Sequence, residues 1–250
     1  MSSPRPDPSA WLTPQWPAPA GVRALSTLRS GGTSAAPYAS LNLGTHVGDS
    51  LQAVAANRGW LRAAAGLPAE PSWLDQVHGA HVAHLDTLAT AGPADAAVTR
   101  SVGRVCAVLT ADCMPVLFAA VSGAAVGAAH AGWRGLADGV LEATVAAMAA
   151  APTDLLVWLG PAIGPRHFEV GGEVRDRLLA SDPGAEAAFE RNDRGRFLAD
   201  LAALARSRLV RAGVERIFES KACTYAAAGD FFSHRRDGPT GRQATLIWLE

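Results

Sequence analysis

The stretch VCAVLTADCMPVLFAAVSGAAVGAAHAGWRG, Val105 to Gly135, decides how the rest of the chain is read. It holds two apolar runs. The first passes through Asp112-Cys113, and the second ends in His130-Ala131-Gly132-Trp133-Arg134-Gly135. Apolar runs rich in Val and Leu with a Gly between them read as neighbouring buried strands. Each carries one borderline or soft metal ligand, Cys113 on the first and His130 at the end of the second. Polar groups this deep in apolar sequence cost free energy unless they are paired or ligated. The hairpin-like unit therefore reads as the floor of an active site.

Downstream, Leu136 to Ala150 has the apolar periodicity of a helix, with Arg134 near its N-terminus, where anions are favoured. Leu155–Leu159 reads as a buried strand followed by the rigid loop Gly160–Pro165. Gly172–Leu179 and Phe197–Ala212 read as amphipathic helices, Ile217–Glu219 as a strand, and Gln243–Leu249 as a closing strand after a long polar loop from Cys223 to Gly238. Upstream, residues 1–20 are Pro- and Ala-rich and read as an irregular lead-in pinned by Trp11 or Trp16. Val22–Arg29 reads as a first strand, and Tyr38–Asp49 as a loop dense in Gly and hydrogen-bonding side chains. Asp49-Ser50 caps a helix from Leu51 to Ala65. Trp73–Asp86 reads as strand, turn, strand about Gly79-Ala80, and Asp95–Thr99 as a short strand. The mixture lacks a strict βαβ rhythm, an internal repeat and a linker. It predicts one layered, mixed-sheet α/β domain over 21–250 with helices outside.

Composition bounds the function. The chain has 250 residues, 49% of them apolar, which is ample for a core. A net charge of -1 removes the basic surplus expected of a nucleic-acid or membrane-surface binder. No apolar run reaches the roughly 20 residues of a spanning helix. Three cysteines, Cys106, Cys113 and Cys223, are too few and too odd for a disulfide scaffold. The N-terminus lacks the basic-then-apolar pattern of a signal peptide. The expectation is a soluble, cytoplasmic protein.

Zinc is the sharp chemical reading. A catalytic zinc takes three protein ligands, commonly His and Cys, and keeps a fourth position open. Cys113 and His130 are the strongest two donors, while His78, His81, His46 and His234 compete for the third place. The same residues support a rival use, a Cys113 thiolate nucleophile with His130 or His78 as base. Cys106 has no polar neighbour and reads as core, and Cys223 reads as packing. Arg134, Arg235, Arg236 and Arg242 sit in glycine-punctuated loops, where guanidinium forks suit phosphate or carboxylate. Dinucleotide and P-loop glycine patterns are absent.

Six motifs then carry a resemblance. SLNLGTHVGD (Ser40–Asp49), DQVHG (Asp75–Gly79), ADCMPVLF (Ala111–Phe118), HAGWRG (His130–Gly135), GPAIGPRHFEVGGEV (Gly160–Val174) and SHRRDGPTGRQATLIWL (Ser233–Leu249) resemble the YfiH-like, laccase-domain family. The resemblance implies a layered α/β fold related to cysteine-hydrolase-like domains. It also implies a zinc site of His78, Cys113 and His130, which completes the ligand set. The activity it implies is phosphorolysis of adenosine, inosine and methylthioadenosine, with adenosine deamination as a side activity. Older descriptions of the family give copper-dependent polyphenol oxidation, and some relatives are linked to editing of a peptidoglycan precursor by a cysteine hydrolase or amidase. Copper is the less favoured metal, since multicopper chemistry needs several His-rich sites and this chain has seven His. Within the phosphorolysis reading, Arg134 or Arg235 holds the anion and Asn42 and His46 contact ribose or base. Asp112 orients a metal ligand. The partners are a purine nucleoside and phosphate, and the chain acts as a monomer.

Overall fold

The structure is a computed structural model that describes residues 11–87 and 92–250. In chain order its elements are β1 (Val22–Ser26), α1 (Leu51–Ala64), β2 (Ser72–Trp73), β3 (Val82–His84), β4 (Ala96–Thr99), β5 (Val105–Thr110), β6 (Met114–Ala120), β7 (Val126–Ala131), α2 (Trp133–Asp138), α3 (Val140–Ala147), β8 (Leu155–Leu159), β9 (Glu169–Val170), α4 (Gly172–Ser181), β10 (Phe189–Arg191), β11 (Phe197–Ala199), α5 (Leu201–Arg211), β12 (Arg216–Glu219), α6 (His234–Asp237) and β13 (Gln243–Leu249). They form a four-stranded sheet in the order β1-β13-β5-β2, a six-stranded sheet in the order β12-β8-β6-β7-β4-β3, and a small β10-β11-β9 sheet. Parallel and antiparallel pairs coexist in both large sheets, as the mixed-sheet reading requires.

The alternation of apolar side chains explains the layering. On β5, Cys106 and Val108 face one way, while Val105, Ala107 and Leu109 face the other. Cys106 and Val108 join Leu117, Ala119, Ala128 and Trp158 of the six-stranded sheet in the core between the two sheets. Val105, Ala107 and Leu109 pack outward with Trp11, Leu41, Leu43 and Leu61, so α1 covers the four-stranded sheet. On β6, Met114, Val116 and Phe118 face Leu136, Val140, Leu141 and Leu204, so α2, α3 and α5 cover the other sheet. Strands buried on both faces read as unbroken apolar runs, which is the pattern of Val105–Ala120.

Several expectations meet corrections. The first apolar run is two strands, not one, because the chain leaves the four-stranded sheet after Thr110 and enters the six-stranded one at Met114. The pairing expected between the two runs is made by β6 with β7. The two strands of Trp73–Asp86 do not form a hairpin, since β2 pairs with β5 and β3 with β4. The helix expected from Leu136 to Ala150 starts earlier, at Trp133, and breaks at Gly139, whose φ of 89° is open to glycine. Phe197–Ala199 is a strand, and the helix begins only after the Asp200 side chain caps the backbone N–H groups of Ala202 and Ala203. The Ser50 cap and the following helix form as expected. Trp11 is buried and meets Trp60 edge to face, whereas the first ten residues of the lead-in lie outside the described residues. Among the described residues, no helix is long and apolar enough to cross a membrane.

Candidate metal centre and cleft

The site forms where β5 ends and the two large sheets part. The chain crosses between them through Ala111-Asp112-Cys113, and Asp112 takes a φ of 96° there. Few non-glycine residues adopt that conformation, so the surroundings must hold it. They do: the Asp112 carboxylate accepts from the Thr224 hydroxyl at 2.7 Å and from the Arg235 backbone N–H at 2.6 Å, and the Asp112 carbonyl accepts from the Ile163 N–H at 2.9 Å. Asp112 therefore ties three loops together and sets Cys113 at the corner. Among the described residues its carboxylate bonds to no metal donor directly, so it acts on Cys113 through the backbone of the turn.

The β6–β7 register sets Pro115 opposite His130 and Met114 opposite Ala131, which brings His130 up beside Cys113. His78 comes from the loop between β2 and β3, with a φ of 61°. Its Nε2 lies 3.9 Å from Cys113 Sγ, and its ring meets the His130 ring edge to face, with centroids 4.7 Å apart. One donor atom from each of His78, Cys113 and His130 lies within 4.8 Å of the others. Neither His46 nor Cys223 belongs to this group, and it is the one such group among the described residues. Gly132 makes the packing possible, since a Cβ there would lie 2.9 Å from Cys113 Sγ and 3.2 Å from His78 Cδ2.

Asp95, which sequence reading had placed only at the start of a strand, organises two of the three donors. Its carboxylate is fully buried. It accepts from His130 Nδ1 at 2.8 Å and from the backbone N–H groups of Val77, His78 and Gly79 at 3.2, 2.9 and 2.7 Å. Burial alone would raise its pKa, but these bonds, led by that from His130, hold it below the usual carboxylate range. The carboxylate fixes His130 with Nδ1 as donor, which leaves Nε2 for a metal, and it clamps the His78 loop in its unusual conformation. Its one local sign in the sequence is an acidic residue at the head of an apolar strand.

Electrostatics set the state of the donors. Burial would raise the Cys113 thiol, yet the adjacent His130 and His78 draw it down to about 6. Burial would lower His130, yet Cys113 and Asp95 raise it to about 9. Without metal, the pair is therefore a thiolate beside an imidazolium at neutral pH. The donor set fits a metal: the thiolate is already formed, His130 can give up its Nε2 proton to the metal, His78 offers a second imidazole, and the group faces a cleft.

That cleft, of about 390 Å³, is lined by His46, Gln76, His78, Leu109, Thr110, Ala111, Cys113, His130, Arg134, His234 and Arg242. No lining residue carries a carboxylate. Of the residues expected to bind substrate, His46 and Arg134 are on the wall. His46 is held below its ordinary pKa by burial and then by Arg242. Arg134 is exposed on α2, with its guanidinium over the Trp133 ring. Asn42 is not on the wall: it is fully buried, its amide donates to the Gly44 carbonyl and Asp49, and its oxygen accepts from Gly44 and Arg242. Its hydrogen bonds are spent on the loop, which corrects its assignment to ribose or base. Arg235 is also off the wall, since its guanidinium donates to the Glu169 carbonyl and lies over Phe168. Arg242 stands in the cleft instead. Cys106 is core as expected. Cys223, expected to pack, is half-buried in a separate cavity, where its sulfur accepts from Gly164 N–H at 3.2 Å. His81 and His84 are exposed.

Comparison with known proteins agrees over nearly the whole chain. Residues 23–250 match the family model described as multi-copper polyphenol oxidoreductase laccase. The Escherichia coli K12 protein named purine nucleoside phosphorylase YfiH is 54% identical over 96% of this chain and 99% of its own length. The Pseudomonas aeruginosa protein named purine nucleoside phosphorylase PA4543 is 53% identical over 97% of this chain and 99% of its own. Among solved structures, Neisseria meningitidis protein NMB0706 superposes with a TM-score of 0.92 at 50% identity, covering 96% of this chain and 99% of that one. YlmD from Geobacillus stearothermophilus superposes at 0.89 with 36% identity, covering 96% of each. With its sheets, its His-Cys-His group and these near-full-length matches in agreement, the chain belongs to the YfiH-like, laccase-domain family.

Proposed function

We propose that this chain is a zinc-dependent purine nucleoside phosphorylase that uses adenosine, inosine and methylthioadenosine, acts as a cytoplasmic monomer and keeps its catalytic unit in residues 21–250. The observation that carries the reading is the His78–Cys113–His130 group at the base of a cleft without carboxylates. Relatives named for the same activity support it. Three donors, with no fourth among the described residues, suit a catalytic rather than a structural zinc. One such group among the described residues speaks against multicopper oxidation as the main role.

When bound, zinc supplies positive charge and a Lewis-acid position at the cleft floor. Asp95 keeps the two histidine donors in place. In phosphorolysis a phosphate oxygen bonds to ribose C1′ while the C1′–N9 bond breaks, and its electron pair leaves with the purine, which takes up a proton. His46, kept neutral, offers a hydrogen bond to the nucleoside. His234 donates Nδ1–H to the Gly238 carbonyl at 2.9 Å, which leaves Nε2 to pass a proton in the cleft it lines. Adenosine deamination uses the same floor with water in place of phosphate.

A second reading rests on the Cys113–His130–Asp95 relay, a thiolate, a base and a carboxylate in bonded order. It is a cysteine hydrolase or amidase acting on a cell-wall precursor. Zinc-quantified protein given adenosine, with and without phosphate, separates these readings. Adenine and ribose 1-phosphate formed only with phosphate support phosphorolysis. Inosine formed without phosphate supports deamination. No product from protein carrying one zinc per chain overturns the nucleoside reading.

A further inference from the structure

We infer that Arg242, with the hydroxyl of Thr110 beside it on the cleft wall, is the subsite that holds the anionic co-substrate, inorganic phosphate in the reading above. Arg242 is firmly held. Its backbone N–H donates to Asn42 Oδ1 at 2.9 Å, and its carbonyl accepts from the Leu43 N–H at 3.1 Å. The loop closes on the stem of the side chain, since a Cβ at Gly44 would lie 2.8 Å from Arg242 Cγ. One terminal nitrogen donates to the carbonyls of Thr240 and Gly241, both at 3.0 Å. The guanidinium thus has its position fixed by neutral acceptors, and among the described residues no carboxylate pairs with it. Burial lowers its pKa, while Cys113 and Asp112 act in the opposite direction. A preorganised, half-buried guanidinium without a carboxylate, in a cleft whose lining also lacks one, suits an oxyanion ligand.

Thr110 is the independent observation. It is 1% exposed, it lines the same cleft, and its Oγ1 has no hydrogen-bond partner in the protein. A buried hydroxyl left unpaired costs free energy, and a ligand oxygen in the cleft removes that cost. The arrangement also explains the saturated Asn42: the residue holds Arg242 rather than touching substrate. Arg134, exposed on α2 and lining the same cleft, adds positive charge.

The test is calorimetric titration of inorganic phosphate into zinc-quantified protein, with melting temperature and metal content measured on every variant. The expected result is phosphate binding by the wild type, weakened about 10-fold or more in Arg242→Gln. It is unchanged in Arg23→Gln, which removes a remote surface charge paired with Glu250. Thr110→Val should weaken phosphate several-fold while leaving the melting temperature equal or higher, because it deletes a hydroxyl with no partner in the protein. Should Arg242→Gln lose fold or metal, Arg242→Lys carries the test, keeping the charge but losing the fork, and weaker phosphate binding is again expected. Wild-type phosphate affinity in a folded, metal-bound Arg242→Gln overturns the subsite, as does absence of phosphate binding by the wild type. Phosphate bound through Arg242, with no phosphorolysis of any purine nucleoside, leaves the subsite standing and overturns only the phosphorylase reading.

Discussion

Cys106 and Cys113 lie seven residues apart in one apolar run, yet they occupy regions of opposite character. Cys106 sits between the two sheets, fully buried among Val22, Val108, Leu117 and Ile247, and burial pushes its thiol well above the ordinary value. Cys113 sits where the sheets part, and His130 and His78 pull its thiol down to about 6. The residue type is the same, but Cys106 is enclosed and Cys113 is half-buried at the cleft wall. The difference is whether a cationic partner is present to stabilise the thiolate. The interior of the sandwich is a place to pack, and its open end is a place to do chemistry. The chain moves from one to the other in the three residues Ala111–Cys113.

The sharpest break of that contrast is removal of each sulfur. Cys113→Ser should abolish stoichiometric zinc binding while the melting temperature of the metal-free protein changes little. Cys106→Ser should leave metal content at one per chain. Metal analysis beside thermal melts reads both. Full zinc in a folded Cys113→Ser overturns the ligand assignment.

The contrast extends to proton chemistry in the metal-free protein. At pH 7, a thiol at about 6 is mostly thiolate, so alkylation of Cys113 should outpace that of an ordinary thiol by roughly 10–100-fold. The rate should fall as pH drops through about 6. Stability should not follow the same curve. The depressed thiol alone adds stability as pH rises from about 6 toward its ordinary value of 9.0, and loses it as pH falls through about 6. The raised His130 alone is fully stabilising below 6.5 and loses that contribution as pH rises through about 9. Over most of this window the two slopes are opposite and cancel, because the folded pair and the unfolded pair hold the same number of protons. Denaturation midpoints flat from about pH 6.5 to 9, beside a steep alkylation profile, are the expected outcome. A midpoint that tracks the alkylation curve would show that the proton does not pass to His130.

Asp95 extends the comparison to the groups behind the donors. Asp95→Asn keeps the size of the side chain but weakens the acceptor shared by His130 and three backbone N–H groups. Chelator competition should give about 10–100-fold weaker zinc binding. Cobalt substitution supplies a spectroscopic check: altered ligand-field bands with cobalt still bound would mark displaced histidines, whereas an unchanged spectrum and affinity would reduce Asp95 to a fold residue.

These particulars show what was legible in the sequence. Cys113 and His130 stood out because a polar group within apolar runs demands a partner. Most strands of the two large sheets, the Ser50 cap and the β6–β7 pairing follow from local patterning. The change of sheet at Asp112 does not, because two strands buried on both faces read as one run, and the positive φ between them is held by Thr224 and Arg235 from over a hundred residues away. Asp95 was hidden for the same reason, since its four bonds reach residues distant in sequence. The arginines of the closing loop were visible as a set. Which of them enters the cleft depends on Asn42 and Gly44, far along the chain, and that pairing has no local signature.

The smallest expected effect falls on the packed side of the comparison. Cys106→Ser replaces a sulfur enclosed by apolar side chains with a polar hydroxyl in the inter-sheet core. Its desolvation should cost about 1–3 kcal/mol of stability, read as a lower denaturation midpoint with zinc content and phosphate binding unchanged. Cys106→Ala is the companion, removing the sulfur without adding a polar atom, and it should cost less than the serine variant. The order matters more than either size. If alanine proved the more destabilising, packing volume rather than polarity would set the cost at Cys106, and the inter-sheet region would differ from the open end by more than the absence of a cation.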